Sequence, residues 1–189
     1  MAEPSKYSIL VVDDEEEILQ SLRGLLRLEY EVHTAQNAAE GLEIFRRRQI
    51  HVVMSDQRMP EMTGAQLLSK VQEERPETMR ILFTGYADIE AVVEAVNEGR
   101  IFRYIAKPWN PEELQATVRM ACAEYGQFAE RERLLYDLRS HISEGQTLMQ
   151  RIRQDAFGSL NPSGQGEIEG YTEKGAKFLE RLRQMLTPG

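Results

Sequence analysis

Five short apolar runs interrupt a more polar pattern in the first part of the chain. They are rich in Val, Ile, Leu and Phe, and they are apolar at consecutive rather than alternate positions. Continuous apolar runs of this length are typical of strands that are covered on both faces of a sheet. The predicted strands are residues 8–12, 31–34, 51–56, 80–84 and 103–106.

The segments between these strands carry apolar residues at helical spacing. In the first segment, one helix face would carry Ile18, Leu22, Leu25 and Leu26. Residues that favour helix starts precede the next three segments at Asn37, Gly64 and Asp88. Strands that alternate with helices within about 125 residues predict an α/β fold, a doubly wound parallel sheet with helices on both faces.

A long helical segment follows the fifth strand. Asn110 is a good N-cap and Pro111 a good first helical residue, and no strong helix breaker occurs before position 161. A helix over 111–157 would be ~70 Å long at ~1.5 Å per residue, which a single compact domain does not need. The predicted divisions are a folded domain over 1–128, a helical extension over 129–157, a flexible linker rich in Gly, Ser and Pro over 158–171, and a short amphipathic helix over 172–186.

The long helix carries an apolar seam with three- and four-residue steps, the heptad pattern of a coiled coil. The seam consists of Ala121, Phe128, Leu135, Leu138, Ile142, Met149, Ile152 and Ala156. Because Arg131 and Gly145 interrupt it, we expect a homodimer of marginal stability. The alternative is that the terminal helix folds back and covers the same stripe within one chain.

Composition and charge narrow the class of protein. Apolar content is 41% and charged content 29%, as in ordinary globular proteins, and no apolar run is long enough to span a membrane. The single cysteine, Cys122, cannot form an internal disulfide, which together with the lack of a signal region predicts a cytoplasmic location. The whole net charge of −8 falls on residues 1–128, and neither part carries the basic stripe of a nucleic-acid-binding protein.

Polar side chains stand at the ends of four of the predicted strands. Asp13 and Asp14 follow the first strand, Asp56 ends the third, Thr84 ends the fourth and Lys107 follows the fifth. The carboxyl ends of parallel strands share one edge of the sheet, so these residues should converge. Three neighbouring carboxylates repel one another unless a cation lies among them, and Mg²⁺ suits oxygen ligands near phosphate. The set predicts a phosphoryl-transfer site, although Asp13 or Asp14 alone could simply cap a helix.

Four motifs, ILVVDDE, VVMSDQRMPEMTG, ILFTGYAD and YIAKPW, resemble those of the receiver domain of two-component response regulators. The resemblance covers about residues 6–128. It implies a flavodoxin-like sheet with strand order 2-1-3-4-5, the order found in the chemotaxis member of this family. It also implies that Asp56 accepts a phosphoryl group from a histidine kinase or phosphotransfer protein.

The same resemblance implies roles for the other site residues. Asp14 would bind Mg²⁺ directly and Asp13 through water, together with Asp56 and the backbone carbonyl of Arg58. The phosphoryl group would be contacted by Thr84 and Lys107, the Lys107–Pro108 bond would be cis, and Tyr104 would be the switch aromatic.

The output is open, because no familiar effector domain follows. One hypothesis is a response regulator that signals to a downstream protein through the face around its fourth helix, fifth strand and fifth helix, and through its helical extension. An alternative is the regulatory module of a longer protein, since residues 83–109 resemble receivers fused to cyclic-di-GMP phosphodiesterases or AAA+ activators. An aspartate-nucleophile phosphatase is disfavoured, because Arg58 stands where that class carries a second Asp. We therefore expect no enzyme activity beyond slow self-catalysed phosphorylation and dephosphorylation.

Overall fold

A computed structural model describes residues 6–85, 101–155, 170–171, 173–178 and 180. The strands in these ranges are β1 (Ser8–Val12), β2 (Glu31–Ala35), β3 (Val52–Asp56), β4 (Met79–Thr84) and β5 (Arg103–Ala106). The helices are α1 (Glu16–Leu26), α2 (Ala38–Arg47), α3 (Gly64–Glu74) and α4 (Pro111–Asp155). Residues 170–171, 173–178 and 180 are also helical. The predicted strands are confirmed to within one residue at each end.

The strands form one parallel sheet in the order β2-β1-β3-β4-β5, which confirms the predicted topology. The register pairs Asp56 with Phe83 and Thr84 with Ala106. The carboxyl ends of β3, β4 and β5 therefore lie side by side, and whatever follows them shares one edge of the sheet.

The three central strands, β1, β3 and β4, are buried on both faces, whereas β5 at the edge of the sheet is mostly exposed. Leu10 and Val53 pack on one face with side chains of α2 and α3, whereas Val11 and Met54 pack on the other with side chains of α1 and α4. This two-sided burial explains the continuous apolar runs, since each fully buried aliphatic side chain contributes about 1.5–3 kcal/mol. Cys122 belongs to this core as predicted, and burial raises the pKa of its thiol to about 12.

The helix starts differ in part from the prediction. Asn37 caps α2 by accepting the N–H of Glu40, as predicted. Thr63 caps α3, and Gly64 is the first residue of that helix rather than the residue before it. In α1 the fully covered apolar residues are Leu19, Leu22 and Leu26, so Leu19 was missed and Ile18 and Leu25 are only half-buried. The predicted cap at Asp88 lies outside the described residues.

The chain divides into two compact units, residues 1–128 and 129–189. In the second unit the terminal segment lies along α4, where the ring of Tyr171 stacks on His141 with centroids 4.2 Å apart. Lys174 Nζ lies 2.9 Å from Glu144 Oε2. The structure thus has the folded-back arrangement, and residues 170 and 171 are helical although the flexible linker was predicted to extend to 171.

The proposed coiled-coil seam is only partly available. Ala121 is fully buried in the core of the first unit, so its assignment to the seam was wrong. Leu135 and Ile142 remain 38% and 50% exposed, whereas Leu138 is half-buried. The last three seam side chains lie outside those that the structure describes.

None of the helices in the described ranges has the length and apolar composition needed to cross a bilayer.

His51 joins three elements at the amino-terminal edge of the sheet. Its Nδ1 accepts the backbone N–H of Ser8 at 2.7 Å, and its ring makes edge contacts with Tyr7 and Tyr125 at centroid distances of 5.3 and 4.7 Å. Burial lowers the pKa of His51, and the Glu31 carboxylate opposes that shift less strongly. A protonated ring could not accept the Ser8 N–H, so the fold requires the neutral form.

Stability should therefore fall on mild acidification. Because the His51 pKa is lower in the folded than in the unfolded chain, the unfolded state binds more protons, and stability is lost as the pH drops below about 6.5. His51→Asn keeps an acceptor near the Nδ1 position but does not titrate, so its melting temperature should depend less on pH between 7.5 and 5.5. His33→Asn, which removes another half-buried histidine, should leave the His51 contribution in place. An unchanged pH dependence in His51→Asn would contradict this assignment.

Candidate functional site

Asp13 is the fully buried carboxylate of the site. It follows β1, its Oδ1 accepts the N–H of Glu15 at 2.9 Å, and its Oδ2 accepts a hydrogen bond from Lys107 Nζ at 2.9 Å. Burial raises its pKa, although the contacts with Glu15 and Lys107 oppose that shift. The N-cap of α1 is Glu15, without a side-chain capping bond, so neither Asp13 nor Asp14 serves as the cap.

Asp56 lies at the end of β3 and is 7% exposed. Its Oδ1 is 2.6 Å from Lys107 Nζ, and its Oδ2 accepts the backbone N–H of Arg58. Lys107 therefore bridges two carboxylates from neighbouring strands. Burial by itself would lower the Lys107 pKa, but the hydrogen bonds from the ammonium to Asp56 and Asp13 outweigh burial and raise it.

The charges at this edge do not balance. One ammonium faces two buried carboxylates, and the exposed Asp14 directly follows Asp13 in the chain. Among the residues that the structure describes, no three Asp, Glu, His or Cys side chains are grouped closely enough to hold a metal ion by themselves. Mg²⁺ commonly binds through one or two carboxylates and keeps several waters. The buried Asp13 and Asp56 and their excess negative charge fit such a small, hard cation.

Thr84 and Tyr104 lie beside this cluster rather than in it. Thr84 ends β4 and is 4% exposed, and its hydroxyl donates to the carbonyl oxygen of Gly85 at 3.0 Å. Its own carbonyl accepts the N–H of Lys107 at 2.8 Å. Tyr104 lies on β5 and is 52% exposed. The structure thus brings Asp13, Asp56 and Lys107 into direct contact and places Thr84 at the end of the neighbouring strand.

Two neighbouring residues complete the surroundings. Trp109 packs on Phe83 with ring centroids 5.0 Å apart, and Lys107 Nζ lies 5.9 Å from the Trp109 ring centroid, within cation–π range. The peptide bond between Lys107 and Pro108 is cis, as the motif implied.

Gln57 is 7% exposed and accepts the N–H of Ala65 through its side chain, a role that sequence reasoning missed. The only available signal was its position directly after a buried strand.

The chain is similar to a family of signalling proteins. Residues 9–119 match the family model described as response regulator receiver domain. The chain is 41% identical over 133 residues to the hydrogenase transcriptional regulatory protein HoxA of Cupriavidus necator, and 38% identical over 114 residues to the regulatory protein AtoC of Escherichia coli. These alignments cover 70% and 60% of this chain but 28% and 24% of the two relatives. The chain therefore spans about a quarter of the length of these curated relatives.

Solved structures show the same likeness. The signal receiver domain of an HD domain-containing protein from Pseudomonas fluorescens Pf-5 aligns with a TM-score of 0.65 and 36% identity, over 69% of this chain and 97% of that one. A structure described as the adenylate cyclase from Rhodopirellula baltica aligns with a TM-score of 0.68 and 31% identity, over 69% of this chain and 98% of that one. Both comparisons support the fold described here.

Removing the bridging ammonium should destabilise the fold. Lys107→Met leaves Asp13 and Asp56 buried without their cation, so the free energy of unfolding at pH 7 should fall by about 3 kcal/mol. The loss should shrink as the pH is lowered, because burial raises the pKa of Asp13 and its protonation removes the unpaired charge.

Urea unfolding at pH 7 and pH 5 measures both effects. Lys70→Met, an exposed lysine on α3, is the matched control and should change stability by no more than about 0.5 kcal/mol. Equal stability of the Lys107 and Lys70 variants at pH 7 would show that the ion cluster is not a stabilising contact.

Proposed function

The chain belongs to the response regulator receiver family, and we propose that it accepts a phosphoryl group on Asp56 from a histidine kinase or phosphotransfer protein. The observation that carries this proposal is the Lys107 ammonium, shared between the Asp56 and Asp13 carboxylates at 2.6 and 2.9 Å. This arrangement presents a nucleophile that is already paired with the cation needed to offset additional negative charge.

The proposed reaction uses the oxygens of Asp56. One carboxylate oxygen attacks the phosphorus of a phosphohistidine in line, a P–O bond forms, the P–N bond breaks, and the histidine nitrogen leaves with the electron pair. Arg58 N–H holds Oδ2 and Lys107 holds Oδ1, so the carboxylate is oriented before attack.

The proposed cofactor is Mg²⁺. When bound, it would supply positive charge that offsets the phosphoryl oxygens during transfer. Asp14 would be a direct ligand and Asp13 a ligand through water, with Asp56 and the backbone carbonyl of Arg58 completing the protein set. The buried carboxylates of Asp13 and Asp56, and the exposed Asp14 that follows Asp13 in the chain, support this assignment.

Phosphorylation would also change the partners of Thr84. The group adds about two negative charges and strong hydrogen-bond acceptors. The Thr84 hydroxyl, which now donates to Gly85, would turn to the phosphoryl group, and the exposed Tyr104 would move into the space it vacates. Phosphorylation would in this way bias an equilibrium between two conformations of the surface around β5.

The proposed output is contact with a downstream protein through this surface and the helical extension. The alternative is that this chain is the regulatory part of a longer protein. The transcriptional regulators that it matches are much longer than this chain, which favours the alternative. We propose no enzyme activity beyond slow self-phosphorylation and dephosphorylation, since the roles proposed for Asp56 and Lys107 are those of a phosphoacceptor and of the cation paired with it. The cytoplasmic location and the absence of direct DNA binding stay predictions.

Phosphorylation of Asp56 is directly testable. Incubation with a small phosphodonor such as acetyl phosphate and Mg²⁺ should add the mass of one phosphate, measured by intact-protein mass spectrometry. Asp56→Asn removes the nucleophilic oxygen and should abolish incorporation, and chelation of Mg²⁺ should do the same for the wild-type protein. Unchanged incorporation in Asp56→Asn would falsify the assignment of the phosphoacceptor.

We also propose a weak homodimer through α4. Phe128, Leu135 and Ile142 repeat every seven residues, and the last two stay exposed on the helix after the terminal segment has folded back. A seven-residue repeat of this kind matches the same face of a second copy. The folded-back segment contacts a different stripe of the helix, through His141 and Glu144.

Light scattering with wild-type and variant protein tests the dimer. Leu135→Glu/Ile142→Glu would place charges in the seam and should yield a monomer with an unchanged circular dichroism spectrum. Ser143→Glu/Gln146→Glu alters two exposed polar positions on the same helix and should leave the molar mass unchanged. A wild-type protein that stays monomeric at high concentration, with and without acetyl phosphate, would refute dimerisation.

A further inference from the structure

Gln57 lies between the phosphoacceptor and the next residue of the site, and the proposed reaction does not use it. All of its polar contacts point to two elements. Its N–H donates to Phe83 O on β4 at 3.0 Å, its carbonyl accepts the N–H of Gly64 at 3.1 Å, and its side-chain Oε1 accepts the N–H of Ala65 at 3.0 Å. Gln57 therefore connects β4 to the first turn of α3.

These contacts close the loop that follows Asp56. A Cβ on Gly64 would lie 2.0 Å from the Asp56 carbonyl oxygen, so the first turn of α3 rests directly against the strand end and only glycine fits there. Within the loop, Glu61 has φ 66°, a left-handed conformation that non-glycine residues adopt only when surrounding contacts hold it. The Gln57 bonds lie where the loop meets the helix.

The same loop carries the Arg58 peptide. Arg58 N–H donates to Asp56 Oδ2, so the orientation of the nucleophile depends on where residue 58 is held. Gln57 is its immediate neighbour and is fixed on three sides. A displacement of Gln57 would move the Arg58 N–H and its carbonyl together.

We propose that the Gln57 side chain is a positioning residue, whose hydrogen bond to Ala65 N–H holds Arg58 so that its N–H orients Asp56 and its carbonyl would be available to the proposed cation. This inference rests on the proposed function, because it concerns the Mg²⁺ that the phosphoacceptor site would bind. Residues that orient metal ligands typically contribute 10–100-fold to metal affinity or activity.

A purely structural role makes a different prediction. Ala65 N–H is one of the first four amide groups of α3, which have no partner within the helix, so loss of the Gln57 bond would also weaken the helix end. The chain offers a matched control, because Gln66 Oε1 accepts the N–H of Thr63 at 3.1 Å in the capping box of the same helix. Gln66→Met and Gln57→Met thus each remove one side-chain acceptor from the start of α3.

The experiment measures Mg²⁺ affinity of the full chain. The fluorescence of Trp109, the single tryptophan, follows the titration because its ring lies beside Lys107, and calorimetry gives the same dissociation constant independently. Gln57→Met should raise the Mg²⁺ dissociation constant about tenfold. Gln66→Met should leave it within about twofold of wild type, although both variants should lose similar stability in urea.

Two further variants make the test robust. Gln57→Glu keeps an acceptor for Ala65 N–H and should retain wild-type affinity or exceed it. Gln57→Asn, whose side chain is one methylene shorter, should shift the constant in the same direction as Gln57→Met if the latter does not fold. Equal constants for wild type and every folded Gln57 variant would overturn this inference alone. A wild-type protein that binds no Mg²⁺ and takes up no phosphate would overturn the proposed function and the inference with it.

Discussion

The bridge that Lys107 makes between Asp13 and Asp56 is the interaction on which the arrangement of the site depends. Removing three charged groups from water is costly, and their mutual attraction offsets that cost only when they are held in close contact. The strand order supplies the contact, since β1 and β3 are adjacent and Lys107 follows β5 at the same edge. The apolar layers on both sheet faces supply the rigidity, because strands buried between helices cannot shift without exposing their side chains.

The sequence predicted the strands and the polar residues at their carboxyl ends well, because the signals for both are local. Apolar runs mark the strands, and polar residues at their ends mark the site. The contacts that the sequence did not predict join distant elements through single side chains, as when Gln57 reaches α3 and His51 accepts the N–H of Ser8. Gly64 was mistaken for a residue before the helix because nothing local shows that the first turn of α3 lies against the Asp56 carbonyl.

The second unit shows a different limit. An apolar stripe on a helix can be covered by the same chain or by another copy, and the pattern of the stripe does not distinguish the two. Gly145 looked like an interruption of a coiled coil, yet it is where the Tyr171 ring approaches the helix so closely that a Cβ would lie 2.3 Å from the phenol oxygen. Gly175 similarly lies against the His141 ring. Gly145 and Gly175 thus each leave room for an aromatic ring of the facing helix.

The charge imbalance of the cluster also bears on how phosphorylation of Asp56 would affect the neighbouring residues. In the unmodified chain one ammonium serves two carboxylates, and a phosphoryl group on Asp56 would compete for it. Lys107 is tied to Thr84 through the backbone bond from its N–H to the Thr84 carbonyl at 2.8 Å. A shift of Lys107 toward the new oxygens is therefore not independent of the strand end that carries the Thr84 hydroxyl. Lys107 and Thr84, the two residues proposed to respond to a phosphoryl group, are therefore already coupled in this structure, and Tyr104 lies on β5, which ends directly before Lys107.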